Sequence, residues 1–264
     1  MTPFLKWAGG KRWLVRNHAD YLPKSFNTYI EPFLGSGAVF FHLQPERSIL
    51  NDVNSDLISS YEGIRGGPDE IIEMLLFHHN NHSKEYYYRI RSSKFETIIE
   101  KTAQFIYLNK TCYNGLYRVN LKGEFNVPIG TKRNVFDGTD DYRSISKTLK
   151  SARLYSVDFE SIIEMAKDGD FIFADPPYTV THNDNGFVKY NERLFSWQDQ
   201  KRLAAALKRA SSRGVQILCT NAFHSSIKEL YKDDFIMTPV GRASTIAGKS
   251  NARGRYMELL ISTK

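Results

Sequence analysis

The stretch from Thr28 to Phe41 constrains the fold most. Thr28 to Phe33 reads as a strand, Gly35-Ser36-Gly37 as a tight turn, and Ala38-Val39-Phe40-Phe41 as the apolar start of a helix. A strand that runs through glycines into a helix N-terminus is the nucleotide-binding corner of doubly wound α/β folds. Glycine lets the backbone approach a ligand, and the first helical amides have no internal partners. Only the first two glycines of the dinucleotide fingerprint are present, so this corner alone does not name its ligand.

The next strand, Ser48-Ile49-Leu50, ends in Asn51-Asp52-Val53-Asn54. Asp52 falls where doubly wound folds place the acid that grips ribose hydroxyls, though Asn54 and Asp56 also suit the capping of the helix that follows. That helix shows Leu57, Ile58, Tyr61 and Ile64 on one face. Upstream, Trp7-Ala8-Gly9-Gly10-Lys11 reads as a loop with a flat aromatic wall and a cation. Its lysine spacing is not that of a phosphate-binding Walker loop.

Strand–helix alternation stops between about Gly66 and Ser151 and resumes with Arg153 to Val157, which leads to Asp158-Phe159. In the interruption, Pro68 opens a helix with Ile71, Ile72, Leu75 and Leu76 predicted inward. His78, His79 and His82 at its end read as a solvated basic helix end rather than a metal site. A further helix carries Ile98, Ile99, Ala103 and Ile106, and Tyr113 to Pro128 reads as a turn and a hairpin. Basic, aromatic and amide side chains crowd that hairpin, the types that contact phosphates, stack on bases and read base edges. An ordinary solvated hairpin has the same composition.

The apolar run Phe171-Ile172-Phe173-Ala174 reads as a buried strand and ends in Asp175-Pro176-Pro177-Tyr178. Two prolines fix φ, lack backbone donors and hold the preceding residue extended. The corner therefore offers a carboxylate, carbonyl acceptors and an aromatic ring, a set that suits a planar ligand with an amino group. A helix-capping turn remains the alternative. A polar loop, Thr179 to Leu194, follows and is expected to act as a lid. Ser196 with Asp199 forms a capping-box pattern ahead of Leu203, Ala206, Leu207 and Ala210. Val215 to Thr220 and Met257 to Ser262 read as strands. Arg242, Lys249, Arg253 and Arg255 read as a basic loop crossing a phosphate backbone.

At 264 residues the chain is one large domain, or a core with an insertion. A net charge of +7 favours a polyanionic partner, nucleic acid first. Cys112 and Cys219 lie in no metal-ligand spacing and read as reduced thiols of a cytoplasmic protein. No apolar stretch approaches the ~20 residues of a membrane span, and no secretion signal is expected.

Six pieces in one order resemble the Dam-like DNA adenine methyltransferases, the alpha group of amino-methyltransferases that use S-adenosylmethionine. They are Phe4 to Lys11, Glu31 to Gly37, Asn51 to Leu57, Tyr113 to Gly130, Asp158-Phe159 and Asp175 to Tyr178. The resemblance implies an α/β fold: a Rossmann-like class I methyltransferase sheet with helices on both faces, plus an inserted, mostly helical target-recognition domain with a β-hairpin. Residues 1–65 and 152–264 would form the catalytic domain and 66–151 the DNA-binding one.

The resemblance also assigns roles. Trp7, Lys11, Phe33, Gly35, Asp52, Asp158, Phe159 and Asp175 would serve the cofactor site, with Asp52 on the ribose hydroxyls. Asp175, Pro176, Pro177 and Tyr178 would be catalytic, with Tyr178 stacked on a flipped base. Lys6, Tyr113, Asn114, Leu116, Arg118 and Pro128 would contact DNA, whereas Tyr117 and Thr131 are expected to vary freely in the family. The implied reaction is methylation of the exocyclic N6 of adenine in duplex DNA, within GATC, with S-adenosylmethionine and no metal. Methylation of cytosine N4, or of adenine at another short site, is the alternative. Monomer and weak dimer are equally compatible with this reading.

Overall fold

The computed structural model describes residues 1–120, 122–136, 140–179, 195–243 and 255–263. Its strands are β1 (Tyr29–Glu31), β2 (Ser48–Asn51), β3 (Ala152–Tyr155), β4 (Phe171–Ala174), β5 (Gln216–Ala222), β6 (Ile236–Ala243) and β7 (Arg255–Ser262). They form one sheet in the order β3-β2-β1-β4-β5-β7-β6. β2, β1, β4 and β5 run parallel, whereas β7 is antiparallel to both β5 and β6. The helices are α1 (Arg12–Asn17), α2 (Ala38–Leu43), α3 (Ser55–Gly66), α4 (Pro68–Asn80), α5 (Lys84–Ser92), α6 (Ile98–Thr111), α7 (Tyr142–Leu149), α8 (Phe159–Ile163), α9 (Trp197–Ser212) and α10 (Ser225–Tyr231). This is the mixed α/β architecture expected from the strand–glycine–helix corner.

The chain divides into two compact units. The first comprises Met1–Arg12, Gly35–Glu46 and Asp52–Ser156; the second comprises Trp13–Leu34, Arg47–Asn51 and Val157–Lys264.

The second unit holds the centre of the sheet. Strand order reverses between β1 and β4, so their carboxyl ends form a topological switch point, where open α/β sheets bind ligands. β4 is buried at every position because it lies inside a parallel sheet. The predicted capping box is present at α9: Ser196 Oγ accepts from Asp199 N at 3.2 Å and Asp199 Oδ2 accepts from Ser196 N at 2.9 Å. Leu203, Ala206, Leu207 and Ala210 are buried, as their spacing predicted.

The first unit is mostly helical. Phe4, Phe41, Tyr61 and Tyr142 form an aromatic core, with the Phe4 and Tyr61 rings 5.0 Å apart edge to face. Burying side chains of this size contributes about 1.5–3 kcal/mol each. Asn54 caps α3, its side chain accepting from Leu57 N at 3.1 Å, and Thr97 with Glu100 forms a capping box at α6.

Several expectations need correction. Ile71 and Leu75 are buried on α4, but Ile72 is only half-buried and Leu76 is exposed, so its apolar stripe is narrower than predicted. His78 is not solvated. It is 2% exposed, with Nδ1 hydrogen-bonded to the Tyr86 hydroxyl at 2.6 Å. Burial pushes its imidazole down to about 4. Tyr113 to Pro128 does double back, but as an irregular ribbon with isolated bridges at Cys112–Ile129 and Val119–Phe125. Arg242 and Arg255, read as loop residues, lie in the backbone of β6 and β7. Lys249 and Arg253 of that segment, and residues 180–194 of the expected lid, lie outside the described residues.

Candidate active site and nucleic-acid interface

In the second unit the sheet builds the Asp175 corner. Ala174 of β4 is paired with Cys219 of β5, so the residues that follow, Asp175 and Thr220, are neighbours. Thr220 is fully buried and its Oγ1 donates to Asp175 Oδ1 at 2.6 Å. The Tyr178 hydroxyl donates to Oε2 of the buried Glu258 at 2.8 Å, which tethers a half-buried side chain. Burial, then the negative charges of Glu258 and Asp175, push the Tyr178 phenol well above its usual range, so it stays neutral.

The proline carbonyls are not equivalent. Pro177 O accepts from Gln200 Nε2 at 3.1 Å, so it is not free, as the rigid-corner reading had it. Gln200 also donates to Thr179 Oγ1 and accepts from Asn221 Nδ2. Among the described residues no donor reaches Pro176 O. Thr220, Glu258, Gln200 and Asn221 thus form a buried polar floor under the corner, and none of them was singled out from sequence. The one available signal was Glu258, an acid inside the apolar run Met257 to Ile261.

Phe33 follows β1 at the switch point. Its ring lies 5.4 Å from Phe159 and 5.5 Å from Phe195. Phe159 is buried and carries the Arg202 guanidinium over its face at 4.9 Å. Asp158 caps α8, with Oδ1 accepting from Glu160 N at 3.0 Å and from Arg202 Nη2 at 2.8 Å.

In the first unit Trp7, Gly35 and Asp52 come together. Gly35 has φ +49°, and a Cβ there would meet Trp7 Cδ1 at 2.8 Å, so the turn requires glycine on two counts. Asp52 Oδ2 accepts from Gly35 N and Oδ1 from Asn54 N, both at 3.0 Å. Burial raises the Asp52 carboxyl, and the two backbone amides oppose that rise. The Tyr61 hydroxyl donates to Gly35 O at 3.0 Å and braces the turn from beneath. Lys11 is buried and donates to Gly9 O at 2.9 Å, curling back on its own loop.

The same unit carries the ribbon. Tyr113, Asn114, Arg118 and Pro128 are exposed on it, and Leu116 is half-buried. Asn114 has φ 56° and Gly115 φ +65°, the sharp turn that displays Tyr113 and Asn114. A Cβ on Gly115 would meet Lys6 Cδ at 2.6 Å, so Lys6 packs directly under the turn. Arg118 Nε donates to Asn126 Oδ1 at 2.8 Å, which orients its guanidinium. The buried Asn109, unremarked in the sequence, joins the Lys6 backbone to this ribbon. It accepts from Lys6 N at 2.9 Å and donates to Lys6 O at 2.8 Å and to Gly115 O at 3.4 Å. Burial, then the nearby Lys132, lowers the Lys6 ammonium to about 8. Among the described residues no cluster of His, Cys, Asp and Glu could hold a metal, and no helix is long and apolar enough to cross a membrane.

The sheet is open and mostly parallel and carries the acidic Pro-Pro-Tyr corner at its switch point, an arrangement in keeping with an amino-methyltransferase. Residues 7–246 match the model of the D12 class N6 adenine-specific DNA methyltransferases, and the chain belongs to that family. It is 38% identical to a type II methyltransferase of Lactococcus lactis subsp. cremoris over 99% of this chain and 95% of that protein. Identity is 37% to a type II methyltransferase of Methanocaldococcus jannaschii, covering 99% of this chain and 98% of that one. The DNA adenine methylase of Escherichia coli strain K12 is 32% identical, over 99% and 95% of the two chains. The chain is therefore an adenine-specific DNA methyltransferase, and its family implies S-adenosylmethionine as methyl donor.

Proposed function

We propose that the chain methylates N6 of an adenine flipped out of duplex DNA, within GATC. The observation that carries this reading is the Asp175 carboxylate, fixed by Thr220 at 2.6 Å beside the Pro176 carbonyl. The exocyclic nitrogen of adenine is a poor nucleophile because its lone pair is delocalised into the ring. Asp175 and Pro176 O accept its two hydrogens and draw that pair out of conjugation. Tyr178, tethered to Glu258, presents a fixed ring for the base to stack on. When bound, S-adenosylmethionine supplies an electrophilic methyl group on sulfur. A base paired inside a duplex cannot reach such a corner, which is why extrusion is part of the proposal.

The chemistry of the side chains fits this cofactor. Asp52 keeps lone pairs beyond those used by Gly35 and Asn54 and would accept from ribose hydroxyls. As the family resemblance implies, Trp7, Lys11, Gly35, Phe33 and Asp175 would also serve the cofactor, and Asp158 and Phe159 would contact its adenine ring. On the DNA side, Arg118 would read a guanine edge, while Lys6, Tyr113, Asn114, Leu116 and Pro128 would approach or wedge between bases. Residues 66–151 would serve target recognition, and 1–65 with 152–264 methyl transfer, in a monomer or weak dimer.

Single-molecule sequencing of plasmid DNA from cells expressing the chain reports base and site together. Modified adenine in GATC alone is expected; modified adenine in another short sequence would replace the site assignment. Replacing the target adenine with 2-aminopurine tests extrusion: its fluorescence rises on binding if the base leaves the stack and stays quenched if it does not.

A further inference from the structure

Tyr117 received no role from sequence, yet it joins the two functions carried by the first unit. Its ring stacks on Trp7, with centroids 5.4 Å apart and planes 25° from parallel, and it also meets Phe105 at 5.2 Å and Phe125 at 5.9 Å. Its hydroxyl donates to Asp56 Oδ2 at 3.0 Å, in the first turn of α3. The cap of that helix, Asn54, donates its backbone N–H to Asp52. Asp52 in turn accepts from Gly35 N, and Gly35 lies against the edge of Trp7. The contacts close into a ring: Trp7, Tyr117, Asp56, the α3 cap, Asp52, Gly35 and back to Trp7. Tyr117 is the one member of this ring that belongs to the ribbon, next to Arg118 and Leu116.

We propose that Tyr117 is a positioning residue through which cofactor binding and target engagement reinforce each other. The inference rests on reading Trp7, Gly35 and Asp52 as cofactor groups and the ribbon as the target reader. Binding that orders one part of a closed ring spares the second ligand that ordering cost. The coupling is reciprocal: DNA tightens the cofactor by the same factor as the cofactor tightens DNA. The aromatic stack carries the effect more than the hydroxyl does, because Asp56 is exposed and an exposed hydrogen bond competes with water.

The test titrates S-adenosylhomocysteine with and without a duplex containing the chain's methylation site. For the wild type the duplex should lower the cofactor Kd about fivefold or more. Tyr117→Phe keeps the stack and should retain most of that factor. Tyr117→Ala should bring it to about one, with KM raised for both substrates and kcat at saturation changed far less. Tyr117→Leu, which keeps apolar bulk but no stack, should also lose the coupling and serves if the alanine variant does not fold. A wild type that binds both ligands without coupling, or leucine and alanine variants that keep wild-type coupling, would overturn the role of Tyr117 and leave the function standing. A folded wild type that binds neither ligand would overturn both.

Discussion

Thr220 Oγ1 donates to Asp175 Oδ1 across adjacent parallel strands at 2.6 Å. Hydrogen bonds to charged groups contribute about 1.5–3 kcal/mol, and this one fixes which way the carboxylate faces. Thr220→Val keeps the shape but removes the donor, and it should lower kcat by about 10- to 100-fold. Thr220→Ser should recover most of the loss, while cofactor Kd stays near wild type in both. Steady-state kinetics with paired cofactor titrations measures this. An unchanged kcat for the valine variant would mean the hydroxyl does not orient the acid.

The DNA contact proposed for Lys6 implies a pH-dependent affinity. Its ammonium is lowered to about 8 by burial and by Lys132, against 10.5 in an unfolded chain. DNA affinity should therefore fall as pH rises through about 8, when Lys6 loses its charge under the ribbon turn. For stability the sign is opposite. Between about 8 and 10.5 the unfolded chain binds the extra proton, so this residue's contribution to stability grows as pH rises across that window. Removing the neighbouring cation with Lys132→Ala should move the affinity break to higher pH. Binding isotherms from pH 7 to 9.5 check this, and a break of unchanged position and size in Lys6→Met would contradict it.

His78 predicts acid sensitivity. Burial holds its imidazole down to about 4, whereas the unfolded residue titrates near 6.5. The unfolded chain binds more protons between those values, so stability present above about 6.5 is lost progressively as pH falls toward 4. The ring is packed against Tyr107 at 4.9 Å and bonded to the Tyr86 hydroxyl, contacts that favour the neutral imidazole. Thermal midpoints from pH 7.5 to 5 should fall more steeply for the wild type than for His78→Phe. Parallel curves would show that another group controls acid unfolding.

The parts of this molecule legible in its sequence are those governed by local rules. β4 ends at Ala174 because Asp175 and two prolines follow, and α9 begins at its capping box. The glycine turn and Asp52 were recognisable from their order along the chain. What escaped was tertiary. His78 looked like a solvated helix end because nothing nearby announced that Tyr86 and Tyr107 would close over it. β6 contains Pro239 and Gly241, residues that argue against a strand. As the edge strand it pairs with β7 alone, where a missing donor is tolerated. Glu258 and Tyr117 gained meaning only through partners distant in sequence, Tyr178 and Trp7.

In the proposed reaction the Asp175 carboxylate and Pro176 O accept the two amino hydrogens of adenine during methyl transfer. Mass spectrometry of nucleosides from DNA incubated with S-adenosylmethionine and either the wild type or Asp175→Ala tests it most directly. The wild type should yield N6-methyldeoxyadenosine. Asp175→Ala should yield none, with S-adenosylhomocysteine binding largely intact. N4-methyldeoxycytidine from the wild type, or N6-methyldeoxyadenosine from the alanine variant at near wild-type rate, would contradict it.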